Sequence, residues 1–230
     1  MIDLLSLTNM KSLGRKLVSV QNVKRCLRDE SALALTEFGL VAPVFIGLGV
    51  LGLDTANYVI THMRVSQVAL QLADNASRVG EQNVLAARRI FESDINDVFI
   101  GAEQYADGLD IQTNGRIILS SLERNSQNGQ WIHWQRCYGS KVHTSSFGNA
   151  GDGQWGTALT GMGGTGSMIT ASANEAVMFV EIAFDYNAIS PLSLFDGQEI
   201  LYTGAYNVRE TRDLSQIHQS NPAAPVSSCS

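Results

Sequence analysis

Glu37 is the residue of this chain whose type and position most demand a chemical partner. Phe38 follows it directly, and from Phe38 to Leu53 (FGLVAPVFIGLGVLGL) there is no charge. An ionised carboxyl among apolar residues in a membrane costs a few kcal/mol. Either the side chain snorkels to water at the headgroup level, or it has a partner or a role of its own. The remaining chemistry-bearing residues do not form a reactive set. Gly151-x-Gly153-x-x-Gly156 has the spacing of a dinucleotide fingerprint, but no βαβ pattern surrounds it. The chain has no Walker sequence and no GxSxG elbow. His62, His133, His143 and His218 lack HExxH spacing. His133, Cys137 and His143 come nearest to a zinc set, and Cys137 is better used in a disulfide. Asp152, in a Gly-rich stretch, has too few oxygen ligands around it for calcium. Asp94, Asp97 and Glu103 fall on the polar side of a predicted helix and are expected to be solvated. The reading is therefore of a protein that is not an enzyme, with no catalytic residue, metal or cofactor assigned.

The element that must position Glu37 is the apolar run. Sixteen helical residues rise about 24 Å, short of the roughly 30 Å hydrocarbon core. Adding Leu33–Glu37 gives 21 residues, enough to cross. Gly39, Gly47, Gly49 and Gly52 would each weaken a soluble helix by about 1 kcal/mol, yet glycines are common where membrane helices pack. Pro43 is likewise tolerated in lipid. Residues 33–53 are read as a transmembrane helix, in preference to a buried core helix. Apolar residues make up 44% of the chain and charged residues 17%, thin for a fully soluble protein.

The net charge of −6 is unevenly spread: residues 1–32 carry six basic and three acidic groups, and the rest carries ten and nineteen. Basic residues precede the span, and only Arg64 follows it closely. The positive-inside rule then places the N-terminus in the cytoplasm and residues 54–230 outside. The basic head of more than thirty residues, with no small-x-small site after the run, fits a cleaved secretory signal poorly. An acidic outer body excludes nucleic acid as its partner. Cys26 falls on the reducing side. Cys137 and Cys229 fall on the oxidising side, where an intramolecular Cys137–Cys229 disulfide is expected, the alternatives being free thiols or an intermolecular bridge.

Ser31-Ala-Leu-Ala-Leu-Thr-Glu-Phe38 resembles the start of type IV pilin-like proteins, in which a small residue, usually Gly, precedes five residues ending in Glu and then an apolar helix. Mapped here, the resemblance implies prepilin-peptidase cleavage between Ala32 and Leu33, with Glu37 and Phe38 as the assembly motif. Ala32 replaces the preferred Gly. TadG-like relatives keep their N-terminus, so an uncut version is the alternative. Leu53-Asp54, Arg64 and the stretch Gln67 to Ser77 look like the segment following the span in TadE/TadG proteins. Tyr186, Pro191-Leu192 and Val208-Arg209 resemble the TadE ending. The resemblance spans about half the chain and rests on the order of these segments. It implies a minor pilin or pseudopilin of the tight-adherence (Flp, type IVb) pilus in the bacterial inner membrane. Its implied partners are other pilins, inner-membrane assembly proteins and prepilin peptidase. A membrane-tethered periplasmic ligand-binding or enzymatic domain is the alternative function.

Beyond the span, Val65, Val68, Ala69, Leu72, Ala76 and Val79 keep helical spacing, and Gly80 punctuates. Val84, Ala87, Phe91, Ile95, Val98, Ala102, Tyr105 and Leu109 predict a second amphipathic helix. Strands are predicted at 116–122 and 131–138 around an Asn128-Gly129 turn, and at 176–184 and 200–208, the last two as partners. The expected fold is α+β, with a long N-terminal helix continuing into an external stalk and an antiparallel sheet of about four strands with a packed helix. The expected segments are a leader (1–32), span (33–53), helical stalk and second helix (54–110), β-rich domain (111–218) and tail (219–230). Residues 139–174 are expected to be an exposed loop, and the tail to be ordered only through Cys229.

Overall fold

The computed structural model describes residues 30–81 and 87–229, with side chains from residue 33 onward. Cys26 and Val84 lie outside the described residues, as do most of the leader and the side chain of Ala32. The chain divides into two compact units at Leu53/Asp54.

The described part of the first unit is helical and belongs to α1 (Glu30–Arg78), which contains Pro43. Every polar group of a helix backbone is bonded within the segment, so such an element can exist without water. Its apolar side chains have no cover: Leu33, Phe38, Leu40, Phe45 and Leu48 are all exposed. Nothing approaches Gly39, Gly47, Gly49 or Gly52. Among the described residues α1 is the one helix long and apolar enough to cross a membrane.

The second unit contains the rest of α1, α2 (Glu92–Tyr105), a short turn of helix α3 (Ile111–Asn114), and strands β1 (Gly115–Arg124), β2 (Gln130–Tyr138), β3 (Ala176–Asp185) and β4 (Glu199–Asn207). The strands form one antiparallel sheet in the order β2-β1-β3-β4. Register sorts the side chains onto two faces. Ile117 and Leu119 of β1 share a face with Met178, Val180, Ile182 and Phe184 of β3. Against them pack Val65, Val68, Ala69 and Leu72 of α1 and Ile95, Val98 and Phe99 of α2. The opposite face carries Leu122, Ile132, Val177 and Phe179, covered by Phe147, Leu159, Met162 and Ile169. Fully burying each such side chain stabilises by about 1.5–3 kcal/mol.

The stretch 139–174 is exposed over much of its length, as expected, yet its inner side packs on the sheet and forms the third layer of the unit. Its fixings are polar as well as apolar. Gln130 donates to the Ala171 carbonyl and accepts from the Ala171 N–H, and Asn125 donates to the carbonyls of Gly153 and Gly156. Side chains alternate along a strand, and a buried strand needs both faces covered. All of β3 from Ala176 to Phe184 is buried, so this Gly-rich segment supplies the cover that no helix does.

The second helix is shorter than its apolar spacing predicts. Residues 87–91, just before Glu92, are extended, because their backbone pairs elsewhere. Glu81 N donates to Arg89 O, Arg88 N to Thr211 O, and Glu92 N to His218 O. Asp94 accepts from Phe91 N at 2.9 Å and so caps α2, while Glu103 is half-buried; of the three carboxylates expected in solvent, only Asp97 is exposed. Tyr105, expected on the packed face, is exposed.

After β4 the chain runs as a strap from one side of the sheet to the other. Its bonds to Arg88 and Ile90 are followed by one from Asn96 Nδ2 to Pro225 O (2.8 Å) and one from Cys137 N to Ser227 O (2.8 Å). The tail is thus fixed by backbone bonding and by Asn96, not through Cys229 alone. Arg212 on the strap is buried and donates to the carbonyls of Ala76 (3.1 Å) and Val79 (2.8 Å), placing a cation at the carbonyl end of α1. Burial, and next the nearby Arg88, lower its pKa to about 10, so it stays charged at neutral pH.

The approach of α1 to the sheet depends on Gly204 of β4, where a Cβ would stand 2.7 Å from the Ala69 carbonyl oxygen. Gly204→Val should force helix and strand apart and cost about 1–3 kcal/mol. Thermal unfolding of the detergent-solubilised protein checks this; an unchanged midpoint would show that the contact bears no load.

Candidate functional site

Of the residues singled out by sequence, Leu33, Glu37 and Phe38 lie on α1, with their side chains exposed. No side chain among the described residues bonds to Glu37. The Ala32–Leu33 bond lies within the helix, and Thr36 Oγ1 donates to Leu33 O at 2.8 Å. Cys137 and Cys229 are joined, with an S–S distance of 2.12 Å.

A buried, multiply bonded carboxylate is Asp54, the first residue after the apolar run. It is only 2% exposed although its neighbours in α1 are open. Its Oδ1 accepts from Ile189 N (3.1 Å) and from the Tyr186 hydroxyl (3.2 Å), and its Oδ2 accepts from the Ser193 hydroxyl. Asn57 Nδ2 donates in turn to the Tyr186 oxygen at 2.9 Å. The Ser193 hydroxyl bond leads in holding the Asp54 carboxyl below its ordinary range, aided by the N–H of Ile189. Burial pushes the Tyr186 phenol up. With its oxygens occupied, Asp54 is poorly placed to act as a general base. What it does is pin the segment 187–197 to α1.

Aromatic rings reinforce the same junction. Tyr58 stacks on Phe195, with centroids 4.5 Å apart, and meets Tyr186 edge-on at 5.0 Å. His62 touches Tyr58 at 4.5 Å and Tyr202 at 5.8 Å, which spends this histidine on packing.

The other histidines each meet a carboxylate. His133 Nδ1 is 3.1 Å from Glu123, and His218 Nε2 is 3.1 Å from Asp213. His143 Nε2 is 3.2 Å from Glu181, a buried carboxylate on β3. Ser146 donates to Glu181 from both its N–H and its hydroxyl. Serine, histidine and carboxylate thus meet, but both partners bond to the carboxylate, whereas a nucleophilic triad needs the histidine between the other two. The cluster latches residues 143–146 onto the sheet. Lys141 extends the latch to Asp185 (2.6 Å) and Glu199 (3.0 Å). Burial would lower the Lys141 pKa, but bonding to these two carboxylates outweighs it and the net shift is upward.

No family model, curated protein or solved structure matches the chain. The geometry therefore has to be read by itself. The Gly151–Gly156 fingerprint spacing sits in the third layer; a Cβ on Gly153 would lie 2.2 Å from Gln130 O, so close backbone packing explains that glycine. The zinc trio does not form, since the Cys137 sulfur is in the disulfide and the two histidines face different carboxylates. Among the described residues no group of three or more His, Cys, Asp or Glu could hold a metal.

Asp54 was not among the candidates from sequence. Its signal was a lone acid closing an apolar run, but nothing in the spacing tells which distant residues it binds.

Asp54→Ala should leave the Ile189 N–H and the Ser193 hydroxyl without their acceptor and cost about 1.5–3 kcal/mol. Hydrogen exchange of residues 187–197 should accelerate while β3 stays protected; unchanged exchange there would remove Asp54 as the pin. Acid should act on the strap through Asp213. The Ser215 hydroxyl, the Ser215 N–H and His218 lower its pKa from 3.8 to about 2. A depressed folded-state pKa means stability that is complete above about pH 4 and is lost as pH falls through 2. Asp213→Asn should flatten the acid limb of a stability–pH curve between those values, and an identical limb would refute the assignment.

Proposed function

We propose that the chain is a membrane-anchored structural or assembly subunit, a minor pilin or pseudopilin of TadE/TadG type serving a tight-adherence (Flp, type IVb) pilus or related secretion system. The observation that carries this reading is the exposed apolar stretch of α1 with Glu37 at its head, in a chain whose second unit has its own core. Water would not favour so much contiguous apolar surface, and a bilayer supplies its natural solvent. In lipid, Glu37 seeks a cation. The ammonium group of a neighbouring subunit that starts at Leu33 would supply one, and this gives Ala32–Leu33 processing and Glu37 a common purpose. Phe38 then packs with other pilin helices.

In this reading the basic leader stays in the cytoplasm, α1 crosses the inner membrane, and residues 54–230 stand in the periplasm or on the pilus. The external half of α1 serves as the packed stalk of its own domain. The Cys137–Cys229 disulfide supports an oxidising location for the second unit. Partners are other pilins, the inner-membrane assembly proteins and, for a processed chain, prepilin peptidase.

Glu37→Ala should abolish or strongly reduce piliation and adherence while membrane levels of the protein stay normal; unchanged piliation would refute the assembly role of this carboxylate. Mass spectrometry of membrane-extracted protein should find Leu33 as the first residue of the processed form. An intact N-terminus in assembled fibres would replace the processed version with the TadG-like one.

A further inference from the structure

We infer that the second unit carries an anion site built from Arg78, Arg88, Arg209 and Arg212, which takes a phosphate group. Every residue in it belongs to the second unit, so the site does not depend on the pilin reading.

The end of α1, the extended residues before α2 and the strap after β4 border a cavity of about 300 Å³, whose polar lining is Ser77, Arg78, Arg88, Arg209, Glu210 and Arg212. Four guanidinium groups meet two carboxylates there. Asp74 pairs with Arg78 (3.0 Å) and Arg209 (3.4 Å), and Glu210 pairs with Arg88 (2.6 Å). Arg212 has no carboxylate within ion-pair distance among the described residues. Two positive charges are left over, in a chain whose net charge is −6. The low pKa of Arg212, set first by burial and next by Arg88, reflects the same crowding of positive charge.

Helix capping uses part of this set. Arg212 Nη2 donates to the carbonyls of Ala76 and Val79, and Arg88 Nη1 to that of Arg78 at 2.6 Å. These contacts cover the negative end of α1, which would otherwise repel an anion. They leave Arg212 Nε, Arg212 Nη1 and Arg88 Nε buried and without a hydrogen-bond partner among the described residues. Arg212 as a whole is 8% exposed. Buried donors in folded proteins are nearly always bonded, so three around one cavity call for an acceptor.

Charge and donor count select the anion. A carboxylate brings one charge and two oxygens. A phosphate ester brings close to two charges and three acceptor oxygens, and guanidinium forks match it in bidentate pairs. No aromatic ring lines the cavity, so it offers no platform for a nucleobase. Entry is by exchange. The three donors are closed to solvent, whereas the Glu210 side chain is 60% exposed, and ion pairs with so open a partner stabilise little. Phosphate takes the place of Glu210 on Arg88 and bonds Arg212 as well.

The test titrates the full-length protein, in an uncharged detergent, with inorganic phosphate by calorimetry at an ionic strength fixed with chloride. One site per chain is expected. Arg209→Gln, at a side chain 57% exposed, should weaken binding about tenfold or more. Glu210→Gln removes the competing carboxylate and should tighten it. Phosphate should also raise the thermal midpoint of the unaltered protein and lose this effect in Arg212→Gln. Absence of saturable binding overturns the site. Equal affinity in Arg209→Gln, or weaker binding in Glu210→Gln, does the same. Succinate that binds as tightly as phosphate marks a carboxylate clamp and overturns the phosphate assignment. Variants with lowered midpoints and no dependence on phosphate reduce the cluster to a structural one. If Arg212→Gln fails to fold, the exposed Arg209 and Glu210 variants decide. Glycerol phosphate distinguishes the source: its binding identifies a phosphate ester and its exclusion identifies the free ion, and either upholds the site.

Discussion

The second unit is organised by a single requirement, that β3 be covered on both sides. Nine consecutive residues of this strand, from Ala176 to Phe184, are buried. One face receives the helices, which is the familiar solution. The other receives a segment with almost no regular structure, and that segment meets much of the polar demand it buries with side-chain amides and a buried carboxylate, beside a few backbone bonds to β2. Gln130, Gln135, Asn125 and Glu181 do for it what a helix or strand would do with its own backbone. The result is a sheet sealed by a coil, stabilised by many specific bonds instead of a periodic one.

That arrangement explains which parts of the fold were legible in the sequence. Strands announced themselves: the Ala176–Phe184 run is apolar apart from Glu181, and the Asn128-Gly129 turn marks a hairpin, with Asn128 at φ 67°. The apolar helix and the 65–76 stripe were equally plain. The coil over the sheet was not, because its glycines, serines and threonines have the composition of a surface loop. Only the scattered Phe147, Leu159, Met162 and Ile169 betrayed a buried role, and no period connects them. The second helix begins later than its apolar spacing suggests for a related reason, with Ala87 and Phe91 lying before it. Its apolar spacing suits a helix, but the residues before Glu92 pair with a segment more than a hundred positions away, and local pattern carries no information about that pairing. At the candidate site, Glu37 could be recognised from its own surroundings, whereas Asp54 and its loop needed the tertiary structure.

The two carboxylates at the ends of the apolar run contrast in a way that bears on the proposed role. Asp54 is satisfied within its own chain by three donors and fixes structure. Glu37 has no side-chain partner among the described residues and stands ready for one from outside. A membrane subunit that assembles with others needs both: one end committed to its own fold and the other left with an unmet demand.

The disulfide changes how the protein would respond to being pulled. A tension applied between the apolar helix and the C-terminus passes along the chain to Cys137 and then through sulfur to Cys229, a shortcut across a sequence separation of 92 residues. The bypassed stretch holds β3, β4, the coil layer and the strap. At roughly 3.5 Å of contour per residue, about 300 Å of polypeptide is withheld from extension. A subunit tugged from both ends can therefore lose its outer architecture without lengthening by that amount, and the sheet's central strand is spared from being drawn out of its place.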